Sequence, residues 1–173
     1  MEDFVLLKNK KFKDKRGFFY ESFSKSMQEE LNTTFVQDNI SFSKKGVIRG
    51  LHYQWEEPMG KLVHVVSGQI NDYIVDIRKN SKNLGKCYCF NLTSDNGNIL
   101  WVPPGFAHGF EALTDSYVMY KCNSYYNKDF EGGINLFDKK LNIKFTNHAE
   151  DIIISKRDQE LQSFDDYCNK FRF

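Results

Sequence analysis

A histidine, an arginine and a glycine interrupt an apolar strand pattern in the segment V-I-R-G-L-H-Y-Q, residues 47–54. Sheet packing alone does not favour these residue types, so His52 on this strand is a candidate group for proton transfer. The ordinary pKa of histidine, about 6.5, makes both protonation states accessible near neutral pH. Arg49 lies three residues earlier and would point to the opposite face unless the strand bends at Gly50. The simpler interpretation is a hydrogen-bonded core histidine on an ordinary strand.

Three other kinds of group could act with this histidine. His108 lies in W-V-P-P-G-F-A-H-G-F, where two prolines and two glycines restrict the backbone around it. Lys61 opens a strand pattern, and an ammonium group there could stabilise an oxyanion or hold a phosphate, although a solvated lysine is the simpler interpretation. A tyrosine phenol can deliver a proton to a carbanion, although strand tyrosines usually pack. The tyrosines concerned are Tyr120, Tyr125 and Tyr126.

A metal site is a further possibility, because His52, His64 and His108 could converge inside a barrel. Against it, the sequence has no H-x-H pair and no carboxylate at a ligand-like spacing from these histidines. It also has no glycine-rich phosphate loop, nucleophile elbow or dinucleotide-binding fingerprint. The pattern therefore favours proton transfer over metal, covalent or redox chemistry.

Short strands must position these side chains. Alternating apolar segments separated by turn signals recur from Phe4 to Asn123, with one helix that Ser24 can cap. Repeated short strands, with the one helix and the tail as additions, predict an all-β sandwich or barrel. The pair Ser67-Gly68 predicts a hairpin between the strands on either side of it.

The pattern changes after Tyr126 to a charged loop, two short apolar runs and the segment I-S-K-R-D. In this segment Ser155 is a predicted helix N-cap, and Asp158 occupies the capping-box position. Asp158 is therefore open to two interpretations, a helix-start carboxylate or a site residue.

The composition fits one domain that has no general attraction for polyanions. A length of 173 residues suits a single domain, and 24 Lys and Arg against 23 Asp and Glu give a net charge of +1. The N-terminal segment M-E-D-F-V-L-L-K lacks a basic region followed by an apolar core, and no apolar run approaches membrane-spanning length. We therefore predict one domain over residues 1–173, a cytoplasmic location, and neither nucleic acid nor membrane as a partner.

Eight segments, taken in order from about Val5 to Asp158, resemble successive blocks of the dTDP-4-dehydrorhamnose 3,5-epimerase family. Besides V-I-R-G-L-H-Y-Q and W-V-P-P-G-F-A-H-G-F, the segments are F-K-D-K-R-G-F-F-Y-E-S-F, F-V-Q-D-N-I-S-F-S, G-K-L-V-H-V-V-S-G, D-Y-I-V-D-I-R-K-N-S, Y-K-C-N-S-Y-Y and I-S-K-R-D. The resemblance implies a cupin-type jelly roll or β-sandwich with short additional helices, acting as a homodimer without metal or organic cofactor. It also implies a tail, from about residue 127, that closes the pocket.

The activity implied is inversion of carbons 3 and 5 of a nucleotide-linked 4-keto-6-deoxy hexose, on the route to dTDP-rhamnose for cell-surface polysaccharide. By matching positions, His52 would be the base, Asp158 would orient it, Lys61 would stabilise the enolate, and Tyr120 would be the acid. Arg49 and His108 would line the sugar and diphosphate pocket. The remaining implied substrate-binding residues are Arg16, Phe19 and Glu21 across the dimer, with Gln37, Asn39 and Tyr126.

The chemistry agrees with these roles, because epimerisation beside a ketone needs a base, an acid on the other face and a cation for the enolate. Family members commonly carry an arginine at the position of His64, and the loop W-E-E-P-M-G and the tail also depart from the family pattern. The same residues would suit an enzyme that inverts only carbon 3 or carbon 5, or that takes another nucleotide-linked ketosugar. The fold would also suit a 3,4-ketoisomerase or a cupin that only binds a sugar nucleotide.

Overall fold

A computed structural model describes residues 4–173, so the first three residues of the N-terminal segment lie outside the description. Strands are the main regular structure, and the helices are short, as predicted. The strands are β1 Val5–Lys8, β2 Phe12–Asp14, β3 Gly17–Phe19, β4 Gln37–Ser43, β5 Val47–Gln54, β6 Lys61–Ser67, β7 Gln69–Asp76, β8 Cys87–Thr93, β9 Asn98–Val102, β10 Phe106–Ala112, β11 Ser116–Cys122, β12 Glu131–Gly133 and β13 Ile153–Ile154. The α-helices are α1 Lys25–Glu30, α2 Lys156–Gln159 and α3 Phe164–Asn169, and single 3-10 turns cover Lys128–Phe130, Lys139–Leu141 and Ala149–Asp151.

Two sheets pack face to face and form the predicted sandwich. The first has the strand order β1-β9-β6-β11-β4, and the second has the order β12-β5-β10-β7-β8, with β13 parallel to one end of β5. Strands β2 and β3 form a separate hairpin, whose turn is Lys15-Arg16. Within residues 4–173, no helix is both long and apolar enough to cross a membrane.

The predicted hairpin at Ser67-Gly68 is wrong. β6 pairs with β9 and β11 in the first sheet, whereas β7 pairs with β10 and β8 in the second. The physical reason is that both strands carry buried apolar side chains, such as Val63 and Ile74, that meet in one cluster between the sheets. The two strands therefore pack face to face across the core instead of edge to edge.

The second sheet is covered on its outer face by the C-terminal segment. Ile134, Leu136 and Tyr167 of that segment pack with Leu51 and Tyr53 of β5 in one buried cluster. The segment also supplies β12 and β13, which flank β5 on the same side of the sheet order. β5 is thereby held by neighbours along most of its length.

The central strand bends at Gly50, as its sequence suggested. His108 is paired with His52 and Phe110 with Arg49, so three steps along β5 match two steps along β10. This bulge carries one extra residue on β5, which returns Arg49 and His52 to the same face. Gly50 has φ +103°, and a Cβ atom there would lie 2.6 Å from the carbonyl oxygen of His108. Only glycine fits this close approach of two strands.

Candidate active site

Two neighbouring cavities, lined by residues of both sheets, meet at three of the predicted site residues. The larger has a volume of about 370 Å³ and the smaller about 180 Å³. His52, Lys61 and Tyr120 line both of them. A ligand that occupied both cavities would therefore pass directly by a histidine, an ammonium group and a phenol.

His52 is hydrogen-bonded to Asp158, which lies 106 residues further along the chain, through Nε2 and Oδ1 at 2.7 Å. The parallel pairing of β13 with the start of β5 brings the beginning of α2 to this strand. Ser155 caps α2 by accepting the N–H of Asp158 at 3.0 Å, as predicted. The contact between the two residues is thus confirmed, and it leaves Nδ1 of His52 as the nitrogen available to a substrate.

The Asp158 carboxylate is held in its charged form. Burial opposes ionisation, but the hydrogen bond and charge of His52, together with bonds from Gly50 and Ser155, lower the pKa of Asp158 below its ordinary value. A carboxylate on one ring nitrogen of a histidine fixes the tautomer and stabilises the imidazolium that forms when the other nitrogen takes up a proton.

Lys61 is the first residue of β6 and brings a cation to the cavities. Burial lowers the pKa of its ammonium group, while Cys122, Glu131 and Asp72 act in the opposite direction. No carboxylate in the described part of the chain lies within ion-pair distance of this ammonium. A desolvated cation without a paired anion strongly stabilises an anion that forms beside it.

Tyr120 lies on β11, between Asn39 of β4 and Val63 of β6 in the first sheet. Burial raises the pKa of its phenol above the ordinary value, so the group carries its proton at neutral pH. The Lys61 Nζ atom lies 5.9 Å from the centre of the ring. Tyr120 and His52 come from opposite sheets, so a flat reacting group between them would have one on each face.

The other predicted residues divide between the two cavities. Arg49 and His108 line the smaller one, where the Arg49 guanidinium donates to Ser43 Oγ at 3.0 Å and to the Phe42 carbonyl at 3.1 Å. The larger one is lined by Gln37, Asn39 and Tyr126. All but three of the predicted site residues therefore line one or both cavities.

Those three residues lie on or just after the β2–β3 hairpin and reach neither cavity. Arg16 pairs with Asp14 at 2.6 Å, Phe19 is 67% exposed, and Glu21 is also exposed. The resemblance placed them at the nucleotide from across a dimer, and this arrangement within one chain leaves that placement as a prediction.

The three histidines considered as metal ligands do not converge. His52 and His108 are cross-strand neighbours, but His64 lines neither cavity and contacts the Tyr20 hydroxyl through Nε2. Burial, with a contribution from the Lys11 charge, lowers the pKa of His64 and keeps it neutral. Over residues 4–173, no three His, Cys, Asp or Glu side chains are grouped as metal ligands.

Several residues that line or support the cavities were not predicted from the sequence. Glu131 accepts from the Tyr126 hydroxyl at 2.9 Å and pairs with Arg157 at the edge of the larger cavity. Asp72 accepts from His108 at the smaller cavity. The strand alternation of β7 contained a signal for Asp72, because residues 70, 72 and 74 share a face and only the middle one is polar. Glu131 and Arg157 carried no such local signal.

Comparisons with known proteins agree on one family. The family model of dTDP-4-dehydrorhamnose 3,5-epimerase matches residues 1–166. A protein of that name from Shigella flexneri is 45% identical over 169 residues, covering 95% of this chain and 92% of the relative. Another, from Methanothermobacter thermautotrophicus, is 40% identical over 159 residues, covering 90% and 86%.

Solved structures give the same result. The Legionella pneumophila dTDP-6-deoxy-D-glucose-3,5-epimerase, in complex with dTDP-4-keto-L-rhamnose, has a TM-score of 0.90 and 39% identity, covering 95% of this chain and 89% of its own. The Bacillus anthracis dTDP-4-dehydrorhamnose 3,5-epimerase, with TDP and PPi bound, has a TM-score of 0.88 and 42% identity, covering 93% and 94%. Matches of this extent, in sequence and in fold, mean that the chain belongs to the dTDP-4-dehydrorhamnose 3,5-epimerase family.

Proposed function

We propose that the protein inverts carbons 3 and 5 of dTDP-4-dehydro-6-deoxy-D-glucose to give dTDP-4-dehydro-L-rhamnose, with His52 as base and Tyr120 as acid. The reaction is that of the family to which the chain belongs. The observation that supports these roles most directly is the position of His52, Lys61 and Tyr120 where the two cavities meet.

Each inversion begins when His52 removes the proton from a carbon next to the ketone. The C–H electron pair forms a carbon–carbon double bond, and the ketone oxygen becomes an enolate oxygen beside the Lys61 ammonium. Tyr120 then delivers a proton to the opposite face, and the ketone re-forms with the carbon inverted. Exchange with water removes the proton from His52 and restores the one on Tyr120, so the cycle balances.

One base is sufficient for both carbons. Carbons 3 and 5 flank the same ketone, so a single cation can stabilise the enolate formed on either side. In the chair form of a gluco-configured sugar, the hydrogens on these carbons are both axial and lie on the same face of the ring. A histidine on that face can reach each in turn, provided that the ring is held in place.

The two cavities fit the two ends of such a substrate. We assign the sugar to the smaller cavity, which Arg49 and His108 line, and the nucleotide side to the larger one, which Gln37, Asn39 and Tyr126 line. The chain would act as one unit in which the tail closes the pocket, since Glu131, Arg157 and Asp158 of the tail line the cavities. A cytoplasmic location and the absence of nucleic-acid and membrane partners remain predictions from the sequence.

The active unit would be a homodimer. The β2–β3 hairpin exposes Phe12, Phe18 and Phe19, and the first sheet exposes a group of apolar side chains on its outer face: Ile40, Phe42, Val66 and Tyr117. Tyr20, just after the hairpin, contacts His64 of the first sheet, so these two exposed areas are neighbours. Exposed apolar side chains grouped in this way are typical of a protein interface. A second copy would cover it and could bring the hairpin to its partner's larger cavity.

The test is proton NMR of the protein with dTDP-4-dehydro-6-deoxy-D-glucose in deuterated water. We expect exchange of the hydrogens on both carbons 3 and 5, and a fall of about 10²–10⁴-fold or more in His52→Asn, the range for loss of a general base. His148→Asn, a change at an exposed histidine outside both cavities, is the matched control and should keep full activity.

Different results would change the assignment. Exchange at one carbon alone would identify a single-site epimerase, and an active His52→Asn variant would reject His52 as the base. Binding of the substrate without any exchange would favour a cupin that only binds.

A further inference from the structure

Asp72 is a buried carboxylate in a place where the core would otherwise be apolar. Its neighbours on the same face of β7 are Ile70 and Ile74, which belong to the cluster between the two sheets. Asp72 itself is 0% exposed. A charged group in such a position is costly unless partners compensate for the loss of water.

The compensation that Asp72 receives is incomplete. Its Oδ2 atom lies 2.9 Å from Nε2 of His108, whereas its Oδ1 atom is buried without a hydrogen bond from the described residues. An apolar side chain of similar size would serve the fold at least as well. The position of Asp72 is therefore better explained by what it does to His108 than by stability.

His108 connects this carboxylate to the proposed sugar site. It lines the smaller cavity and is paired across the strands with His52, the proposed base. Its Nε2 atom is occupied by Asp72, and none of the residues from 4 to 173 provides a hydrogen bond to Nδ1. The ring therefore has one nitrogen fixed by the protein and one left for a ligand.

We propose that Asp72 is a positioning residue, which fixes the tautomer and ring plane of His108 so that Nδ1 accepts a hydrogen bond from a sugar hydroxyl in the smaller cavity. Because Asp72 accepts the Nε2 proton, the neutral ring carries no proton on Nδ1, and this nitrogen acts as an acceptor. The inference rests on the proposed function, since it requires a sugar in that cavity. The two histidine–carboxylate pairs would then have different roles. The pair of His52 and Asp158 serves proton transfer, whereas the pair of His108 and Asp72 serves recognition of the sugar.

The Asp72 charge has a second effect in the same direction. It is one of the negative groups that counteract the lowering of the Lys61 pKa by burial. Loss of this charge would therefore weaken the cation that the enolate needs, in addition to releasing His108.

The experiment compares Asp72→Asn and Asp72→Leu with the wild-type protein in two measurements. The first is ¹⁵N NMR of histidine-labelled protein, in which His108→Asn identifies the His108 signals among the four histidines. We expect His108 to be protonated on Nε2 in the wild type and in Asp72→Asn, whose amide oxygen can still accept. In Asp72→Leu we expect a mixture of tautomers.

The second measurement is calorimetric binding of dTDP-glucose, an unreactive probe with a sugar, and of dTDP, which has none. We expect Asp72→Leu to weaken dTDP-glucose about ten- to a hundredfold, the effect of losing one good hydrogen bond, while dTDP stays within about twofold. In a His108→Asn background the same change should have little further effect, because Asp72 acts through His108.

A matched control is Asp76→Leu, which removes another fully buried carboxylate that pairs with Arg78 and bonds Ser81 but lines neither cavity. It should lower stability without changing the ratio of the two affinities. The proposal is overturned if Asp72→Leu leaves the His108 tautomer unchanged, or if it weakens dTDP and dTDP-glucose equally. If wild-type protein does not bind dTDP-glucose, the proposed function fails together with the hydroxyl contact, while the tautomer measurement still decides the orienting role.

Discussion

The two histidines on neighbouring strands each hold a carboxylate through Nε2, but they differ in their access to water. The His52 side chain is 23% exposed and that of His108 is 8% exposed. A base must release its proton to solvent after every turnover, so the more exposed ring suits proton transfer. A group that only accepts a hydrogen bond from a sugar needs no such exchange. Exposure therefore supports the division of tasks proposed for these residues.

Tyr120→Phe tests the proposed role of Tyr120 as the acid. The change removes the phenolic proton but keeps the ring that packs in the wall of both cavities. Proton removal by His52 would continue, and deuterium would return to the same face from His52. We therefore expect deuterium exchange on the substrate to continue, while formation of the inverted product falls about 10²–10⁴-fold.

The control for this prediction is Tyr125→Phe, which changes a 65% exposed tyrosine that is outside both cavities. Its exchange and inversion rates should match those of the wild type. An equal loss of exchange and inversion in Tyr120→Phe would mean that Tyr120 does more than deliver the second proton.

Local sequence patterns indicated some of the site residues but not their partners. His52, Lys61 and Tyr120 were visible as chemical groups on strands, but the partner of His52 lies 106 residues away and came only from the family resemblance. Local patterns carry no information about which distant segment a side chain will meet. The alternation of its strand places Asp72 on the same face as apolar residues. An acidic residue in such a position is informative only once it is known that this face points into the core.

At the scale of elements, the bulge of β5 decides which side chains share a cavity. Arg49 and His52 are three residues apart and would face opposite ways on a regular strand, yet both line the smaller cavity. The sequence indicated the bend through Gly50, but the extra residue is defined only relative to β10. The incorrect hairpin at Ser67-Gly68 has a similar cause, because a turn signal does not specify which sheet the next strand joins.

Gly50→Ala should disrupt the bulge of β5. A Cβ atom would lie 2.6 Å from the His108 carbonyl oxygen and 2.7 Å from Gly109 Cα, at a φ of +103°. Backbone atoms cannot move aside cheaply, so we expect a loss of about 3 kcal/mol or more in the free energy of unfolding. Urea denaturation measures this loss, and epimerase activity should fall with it because Arg49 and His52 lose their common face.

Gly97→Ala is the matched control, because Gly97 also has a positive φ, +63°, but a Cβ atom there would meet only the flexible end of Lys11. We expect a cost of about 1 kcal/mol, that of the backbone conformation alone, and no change in activity. Equal effects of the two substitutions would show that the close approach at Gly50 is unimportant.

At the scale of the whole molecule, a single copy of the chain places the acid–base groups together but leaves three predicted substrate-binding residues outside. Arg16, Phe19 and Glu21 lie on or beside a hairpin that reaches neither cavity of its own chain. No local pattern in the sequence separates them from the residues that do line the cavities. Their position is explained if the complete site consists of the cavities of one copy and the hairpin of another.

Mixing two inactive variants tests this arrangement. Arg16→Glu would spoil the hairpin contribution and His52→Asn would remove the base, so each pure variant should be nearly inactive. In a mixed dimer, one site would combine the intact His52 of one copy with the intact Arg16 of the other. Co-expression in equal amounts should therefore restore about a quarter of wild-type activity, since half of the dimers are mixed and each has one good site of two.

Recovery of activity depends on which chain's site the hairpin completes, and not on how severely either substitution reduces activity. If the hairpin served its own chain, the mixed dimer would contain two defective sites and activity would not recover. Sedimentation of the same samples shows whether dimers have formed, so a failure to associate is not mistaken for a failure to complement. The reciprocal test co-expresses wild-type chain with a double variant that carries both changes on one chain. In each mixed dimer the missing base then affects the site of the variant chain, and the altered hairpin affects the site of the wild-type chain. That mixture should keep only the activity of its wild-type dimers, again about a quarter, whereas a site within one chain would keep about half.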